Sequence, residues 1–165
     1  EMTMKLRAAS DAKKDTNFLI MARTDARASE GLEAAIDRCK AYIDAGADAI
    51  FPEALQGWEE YEKVREAIDV PILANLTEFG KTPLLTKTEL ENLGYNIAIY
   101  PVTSLRLSMK AVEEGFSAIR QQGTQKKMLD RLQTRTRLYE LIHYEDYNKF
   151  DEDIFNFGTD GHGSE

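Results

Sequence analysis

The 165-residue sequence has one cysteine, two histidines, four prolines and one tryptophan, and it lacks any excess of positive charge. A single cysteine, Cys39, excludes an intramolecular disulfide and every cysteine-cluster zinc or iron–sulfur site, and it points to a reducing, cytoplasmic setting. Only 21 Lys and Arg stand against 29 Asp and Glu, a net charge of −8. That balance argues against nucleic acid or an anionic membrane as a partner, since neither is held without a positive field. An anionic ligand must instead be gripped by a few local arginines. No apolar run approaches the roughly 18 residues of a membrane span, and no secretory signal pattern opens the chain. The Gly-rich phosphate loop, the Gly-x-Ser-x-Gly elbow and the His-Glu-x-x-His pair are all missing, and with them the usual nucleotide, hydrolase and metalloprotease signals. The first residue is Glu1 and not Met, so a processed or truncated product is expected.

What is present is a regular alternation. Four short apolar runs, Asn17 to Ala22, Ala47 to Phe51, Val70 to Ala74 and Asn96 to Val102, show no apolar–polar alternation and predict fully buried strands. Helical patterns separate them. In the segment Gly31 to Ala45, residues Leu32, Ala35, Ile36, Cys39, Tyr42 and Ile43 form one apolar stripe, with Gly46 as the stop. Further helices are predicted at about Trp58 to Ile68, Lys87 to Leu93 and Leu105 to Gln122, and the opening residues to Lys14 read as the end of another. Strand and helix alternating every roughly 25 to 30 residues is the mark of βα units feeding a parallel sheet. The fold class is therefore α/β. After Gly123 the pattern is helical only, from about Lys126 to Tyr147, and Gly158 to Glu165 reads as a disordered tail.

Polar residues gather just after the strands: Arg23, Thr24 and Asp25, then Glu53, then Asn75, Thr77 and Glu78, then Thr103 and Ser104. Ligand chemistry in parallel α/β folds sits at these C-terminal strand ends. Arg23 has two readings, an ion pair with Asp25 or a guanidinium fork for a substrate carboxylate. Glu53 offers a carboxylate, and Asn75 to Gly80 adds an amide, a hydroxyl and a second carboxylate. Arg106 opens a helix, a poor place for a cation unless an anion is also there. Arg135 lies among polar neighbours and reads as solvated on spacing alone. Cys39, within its apolar stripe, reads as a small buried hydrophobe. His143 reads as a packing or surface histidine and His162 falls in the tail, so neither is assigned to a metal.

In order, Ile20-Met21-Ala22-Arg23-Thr24-Asp25-Ala26, Ala45-Gly46-Ala47-Asp48 with Phe51-Pro52-Glu53-Ala54, Pro71 to Gly80, and Tyr100-Pro101 with Arg106 resemble the isocitrate lyase and phosphoenolpyruvate mutase superfamily. Gly123-Thr124-Gln125, Gln133-Thr134-Arg135 and Leu138-Tyr139-Glu140 are similar to its branch that cleaves 2-methylisocitrate to pyruvate and succinate, a step of propionate breakdown. The resemblance implies the C-terminal half of a (β/α)8 barrel over residues 1–123 and a helical extension over 124–157. It further implies that the extension's helices exchange between the subunits of a homotetramer. Arg23, Glu53, Asn75, Leu76, Thr77, Arg106 and Arg135 fall on the family's positions for binding a tricarboxylate substrate. Arg23 and Glu53 are the pair expected to act in catalysis. Mg²⁺ is the implied cofactor, with its ligands on earlier strands, and the catalytic cysteine belongs to a Cys-Gly-His loop. Neither is in this sequence, and Cys39 does not match that loop, so this stretch alone is expected to be inactive. Isocitrate lyase, phosphonomutase and oxaloacetate decarboxylase activities remain open, as does a non-catalytic assembly module. A (β/α)8 barrel takes about 250 residues, more than the chain has.

Overall fold

A computed structural model describes residues 1–156. Four strands alternate with helices. Helix α1 (Met2–Ala12) leads to β1 (Met21–Thr24), the short α2 (Ala26–Glu30) and α3 (Leu32–Asp44). Then come β2 (Ala49–Pro52), α4 (Trp58–Ala67), β3 (Leu73–Asn75), α5 (Lys87–Leu93), β4 (Ile97–Ile99) and the long α6 (Thr103–Gln122). Strands β1 and β2 pair in parallel with Met21 opposite Ala49 and Thr24 opposite Pro52. Strands β3 and β4 pair in parallel with Leu73 opposite Ile97. A parallel bridge between Ile50 and Ile72 joins the two pairs, so the order is β1-β2-β3-β4 and every C-terminal strand end lies on one edge. This is the expected α/β arrangement.

The chain divides into two units, one from Glu1 to Met109 and one from Lys110 onward, with the division inside α6. The core of the first is built by the α3 stripe, in which Ala35, Ile36, Cys39 and Tyr42 are buried. Packed with them are Ile50 and Ile72 from the sheet, Tyr61, Val64 and Leu90 from the helical layer, and Tyr95 from the loop after α5. Tyr95 donates its hydroxyl hydrogen to the Tyr61 carbonyl at 3.1 Å, which satisfies a phenol that burial would otherwise penalise. Gly46 ends α3 as expected, and its geometry shows why no other residue fits. Its φ is +100°, and an added Cβ would lie 2.5 Å from the Ser10 hydroxyl oxygen. Just beyond it, Asp48 accepts hydrogen bonds from Lys13 Nζ at 2.9 Å and from the Ile20 N–H at 2.8 Å. It thereby fixes the start of β2 beside the approach to β1.

Two expectations need correction. The first strand is not Asn17 to Ala22, because pairing with β2 places it at Met21–Thr24. Phe18 and Leu19, 65% and 66% exposed, belong to the turn before it, where the Phe18 N–H bonds to the Asp15 carbonyl. Nor is every strand buried on both faces. β1 alternates exposed and buried residues and β4 is at best half-buried, as befits strands at the two ends of the order, whereas β2 is almost wholly buried.

The helical pattern read over 126–147 takes the form of three pieces: a 3-10 turn (Lys126–Arg131), α7 (Arg135–Leu141) and α8 (Tyr144–Asn156). Leu132 is extended, and Thr134 starts α7 as a side-chain cap on the Arg137 N–H. His143 at φ 52° separates α7 from α8. The expected disordered tail, 158–165, lies outside the described residues.

Candidate functional site

The C-terminal strand ends build a continuous polar chain. Strand β1 carries Arg23 to its end, and the Glu53 N–H donates to the Thr24 carbonyl at 3.0 Å. This extends the β1–β2 pairing one residue and sets Glu53 beside Arg23. Arg23 Nη2 lies 3.2 Å from Glu53 Oε2. The same carboxylate oxygen accepts from Asn75 Nδ2 at 3.2 Å, and Asn75 Oδ1 accepts from the Thr77 hydroxyl at 2.8 Å. Four of the sequence-predicted site residues, from three consecutive strands, are thus linked side chain to side chain.

The ion-pair reading of Arg23 is the one the structure shows. Its Nε and Nη2 form a two-pronged pair with the Asp25 carboxylate at 3.0 and 2.9 Å, and its face lies 4.7 Å from the centre of the Phe51 ring. The hydrogen bond from Arg23 holds the Asp25 carboxyl below its ordinary pKa, and the same bond, with Glu53 adding to it, raises that of Arg23. These contacts use Nε and Nη2, which leaves Nη1 as the edge that can receive a ligand carboxylate. Asp25 is also the residue before α2, a position where an aspartate commonly caps the helix. Here its side chain caps nothing and is committed to Arg23.

The next strand ends hold a second arginine. Arg106, in the first turn of α6, donates through Nη1 to the Glu78 carbonyl and to Glu78 Oε2, both at 2.7 Å. Thr103 donates its hydroxyl hydrogen to the other Glu78 oxygen. Arg106 also lies 5.2 Å from the centre of the Phe79 ring. The Thr103 hydrogen bond, with Arg106 adding to it, lowers the pKa of Glu78. Residues Ala54, Phe79 and Val102 have φ of 63°, 63° and 56°. They directly follow Glu53, directly follow Glu78 and directly precede Thr103, so the strained backbone is gathered at these strand ends.

Two predicted residues stand apart from this network. The Leu76 side chain is buried in the core, and its N–H donates to the Ile99 carbonyl at 2.9 Å. Arg135 begins α7 in the second unit and lines a surface cleft with Tyr139, Glu140, His143 and Tyr144. Sequence reasoning gave no role to Phe51 or Phe79, placed Thr103 among the polar strand-end residues without a partner, and saw Asp25 both as a strand-end residue and as a competitor for Arg23. The signal for Asp25 was its spacing of two residues from Arg23. Nothing in an apolar ring's position in sequence announces that it will lie under a guanidinium.

Cys39 is buried, and burial pushes its thiol up to about 11, which leaves it protonated and unreactive at neutral pH. Among the described residues no group of three or more His, Cys, Asp or Glu could hold a metal ion. The nearest candidates, Asp25 and Glu53, are already engaged by Arg23 and Asn75. These residues do not by themselves fit a Mg²⁺ site. No helix among the described residues is long and apolar enough to cross a membrane.

Comparisons with known proteins converge. The family profile of phosphoenolpyruvate phosphomutase matches residues 1–120. A probable 2-methylisocitrate lyase 1 of Corynebacterium glutamicum is 54% identical over 157 residues, covering 94% of this chain and 52% of that protein. A 2-methylisocitrate lyase of Halalkalibacterium halodurans is 52% identical over 154 residues, covering 93% of this chain and 51% of its own length. The chain thus spans about half the length of the curated relatives it matches. Among solved structures, phosphonopyruvate hydrolase in complex with oxalate and Mg²⁺ superposes with a TM-score of 0.79 at 27% identity, covering 92% of this chain and 54% of that one.

Proposed function

The chain belongs to the phosphoenolpyruvate phosphomutase family, and from that membership we propose that it supplies the C-terminal half of a 2-methylisocitrate lyase. The observation that carries the reading is the linked set Arg23, Glu53, Asn75 and Thr77 at three adjacent strand ends, with Arg106 held at the next. In a protein of net charge −8, cations converge here because the ligand is a polycarboxylate. The high identity to relatives named 2-methylisocitrate lyase supports this substrate over isocitrate, phosphonopyruvate or oxaloacetate.

Cleavage removes the hydroxyl proton of 2-methylisocitrate. The C–C bond electrons pass to the carbon that becomes succinate, the hydroxyl carbon becomes the ketone of pyruvate, and the new carbanion takes up a proton. In this scheme the free Nη1 edge of Arg23 holds the pyruvate-side carboxylate, and Glu53 keeps the guanidinium and the Asn75 amide in register. The preset geometry matters because donors fixed before the reaction stabilise developing charge without reorganising. Arg106 takes a carboxylate of the succinate half, Leu76 and Thr77 line the strand end after β3 with their hydrogens already committed to Ile99 and Asn75, and Arg135 is proposed as a further substrate-binding residue.

Mg²⁺, present in the phosphonopyruvate hydrolase complex, would polarise the reacting oxygen. The described residues of this chain do not build its site, so its ligands and the acid that protonates the carbanion belong to earlier strands of the barrel. On the same reading residues 1–123 are half of a (β/α)8 barrel, and residues 124–157 are a helical extension that exchanges within a homotetramer. The apolar residues on α7 and α8, Leu138, Leu141, Phe150 and Ile154, are exposed, which supports that assignment.

The test is an assay of the protein as the cell makes it, with 2-methylisocitrate and Mg²⁺. Pyruvate and succinate are expected in equal amounts, and Arg23→Ala is expected to lower kcat/KM by about 10²- to 10³-fold with the fold intact. Turnover of isocitrate or oxaloacetate in preference to 2-methylisocitrate would overturn the reading. Residues 1–165 alone are expected to show no cleavage.

A further inference from the structure

We propose that Glu78 is a positioning residue of this site: it sets where Arg106 presents its guanidinium, and so sets the affinity for a substrate carboxylate that Arg23 does not hold. The proposal rests on the lyase reading above and goes beyond it, because nothing in the reaction itself requires a carboxylate at position 78.

The first argument is electrostatic. Arg106 lies in the first turn of α6, where unpaired N–H groups and the helix dipole make a cation unwelcome and an anion welcome. Glu78 supplies the anion. One carboxylate oxygen accepts from the side-chain hydroxyl of Thr103, the first residue of the helix, and the other accepts from Arg106.

The second argument is geometric. Arg106 Nη1 is shared between the Glu78 carbonyl and the Glu78 carboxylate. A single corner of the guanidinium is therefore anchored to both the main chain and the side chain of one residue. The described hydrogen bonds of Arg106 leave Nε and Nη2 unused, and those two form an edge that fits a carboxylate in two-pronged fashion.

The third argument comes from the backbone. Phe79, next to Glu78, is 95% exposed and sits at φ 63°, a conformation that is a genuine outlier for a bulky residue. Core packing does not explain this backbone conformation at a residue that buries nothing. It places the ring 5.2 Å from the Arg106 guanidinium, which an aromatic face attracts. Val102, just before Thr103, is strained in the same sense at φ 56°. Strain of this kind persists where surrounding contacts over-determine it, and here it flanks the Glu78–Thr103–Arg106 contact on both sides.

The experiment uses the protein as the cell makes it and follows cleavage of 2-methylisocitrate with Mg²⁺, with succinate and pyruvate tested separately as product inhibitors. Glu78→Gln is expected to raise KM roughly tenfold to a hundredfold, the loss of one charge-assisted bond, with kcat changed less than about threefold. Inhibition by succinate weakens and inhibition by pyruvate does not. Thr103→Val, which frees one oxygen of the same carboxylate, is expected to raise KM a few-fold and serves as the reading if the Gln variant fails to fold. Glu91→Gln, in an exposed pair with Lys87, is the control and changes neither constant. A folded Glu78→Gln protein with wild-type KM overturns the inference, as does an equal weakening by both products. A wild-type protein that does not cleave 2-methylisocitrate overturns the lyase reading itself, so the two failures are told apart.

Discussion

The two units of the chain spend their apolar residues in opposite ways. Up to Met109, apolar residues close around a core in which Ile50 and Ile72 are fully buried. From Lys110 onward, Met128 is the one buried apolar side chain among the described residues, while Val112, Phe116, Ile119, Leu132, Leu138, Phe150 and Ile154 stand exposed. The second unit still forms good helices. Thr134 caps α7, Glu114 pairs with Lys110 and Arg131, and Tyr139 stacks on Tyr144 at 4.4 Å. The difference teaches that local signals suffice to write helices, whereas burial needs a layer to close against. Only the first unit contains such a layer within one chain.

Substitutions can break this contrast. The largest effect on stability is expected from Ile50→Ala at the centre of the sheet, about 3 kcal/mol from lost transfer energy and a residual cavity. Phe116→Ala, on an exposed ring, should stay within about 0.5 kcal/mol in the isolated chain. Chemical denaturation of both variants measures the gap, and equal losses would erase the distinction between the units. A stability loss for Phe116→Ala that grows with protein concentration would sharpen it, by showing that another subunit covers that face.

Gly46→Ala is next. The left-handed backbone and the 2.5 Å approach to Ser10 combine to predict a loss of about 2 kcal/mol, seen as a lower Tm, and Ser10→Gly should restore part of it.

The smallest effect is pH-linked. The Ile20 N–H first, and Lys13 second, hold the Asp48 carboxyl below its ordinary pKa. A folded pKa below the unfolded one stabilises above the unfolded value, near 4. That stabilisation is lost as pH falls through the folded value. Asp48→Asn should therefore cost stability at neutral pH and flatten the acid limb of a stability–pH curve. An unchanged slope would remove Asp48 from the account.

How much of this was legible beforehand varies from element to element, for physical reasons. The α3 stripe was readable because helical spacing and a core-facing side are the same information, and Gly46 marked its end. The α/β class followed from alternation, and the strand ends followed from it. The β1 boundary was not readable, since apolar content at Phe18 and Leu19 resembles a strand while register is decided by partners 28 residues away. The break at His143 was hidden because a lone left-handed histidine leaves no trace in hydrophobic spacing. For the site, Arg23, Glu53, Asn75 and Thr77 could be named from position alone. That Arg23 keeps its pair with Asp25 while still reaching Glu53 is a matter of angles and distances, and only coordinates supply those.

Every strand pairing among the described residues is parallel and joins residues far apart in sequence, as in Met21 with Ala49 and Leu73 with Ile97. Parallel neighbours cannot be closed by a tight turn, so each pairing must first bear the loop-closure entropy of the helix between the strands. The Arg23–Glu53–Asn75 linkage is therefore assembled in two steps. Glu53 meets Arg23 only when the unit containing α3 has closed, and Asn75 meets Glu53 only when the unit containing α4 has. The three-residue linkage is complete only when both crossovers have closed, so it reports the folding of β1, β2 and β3 together.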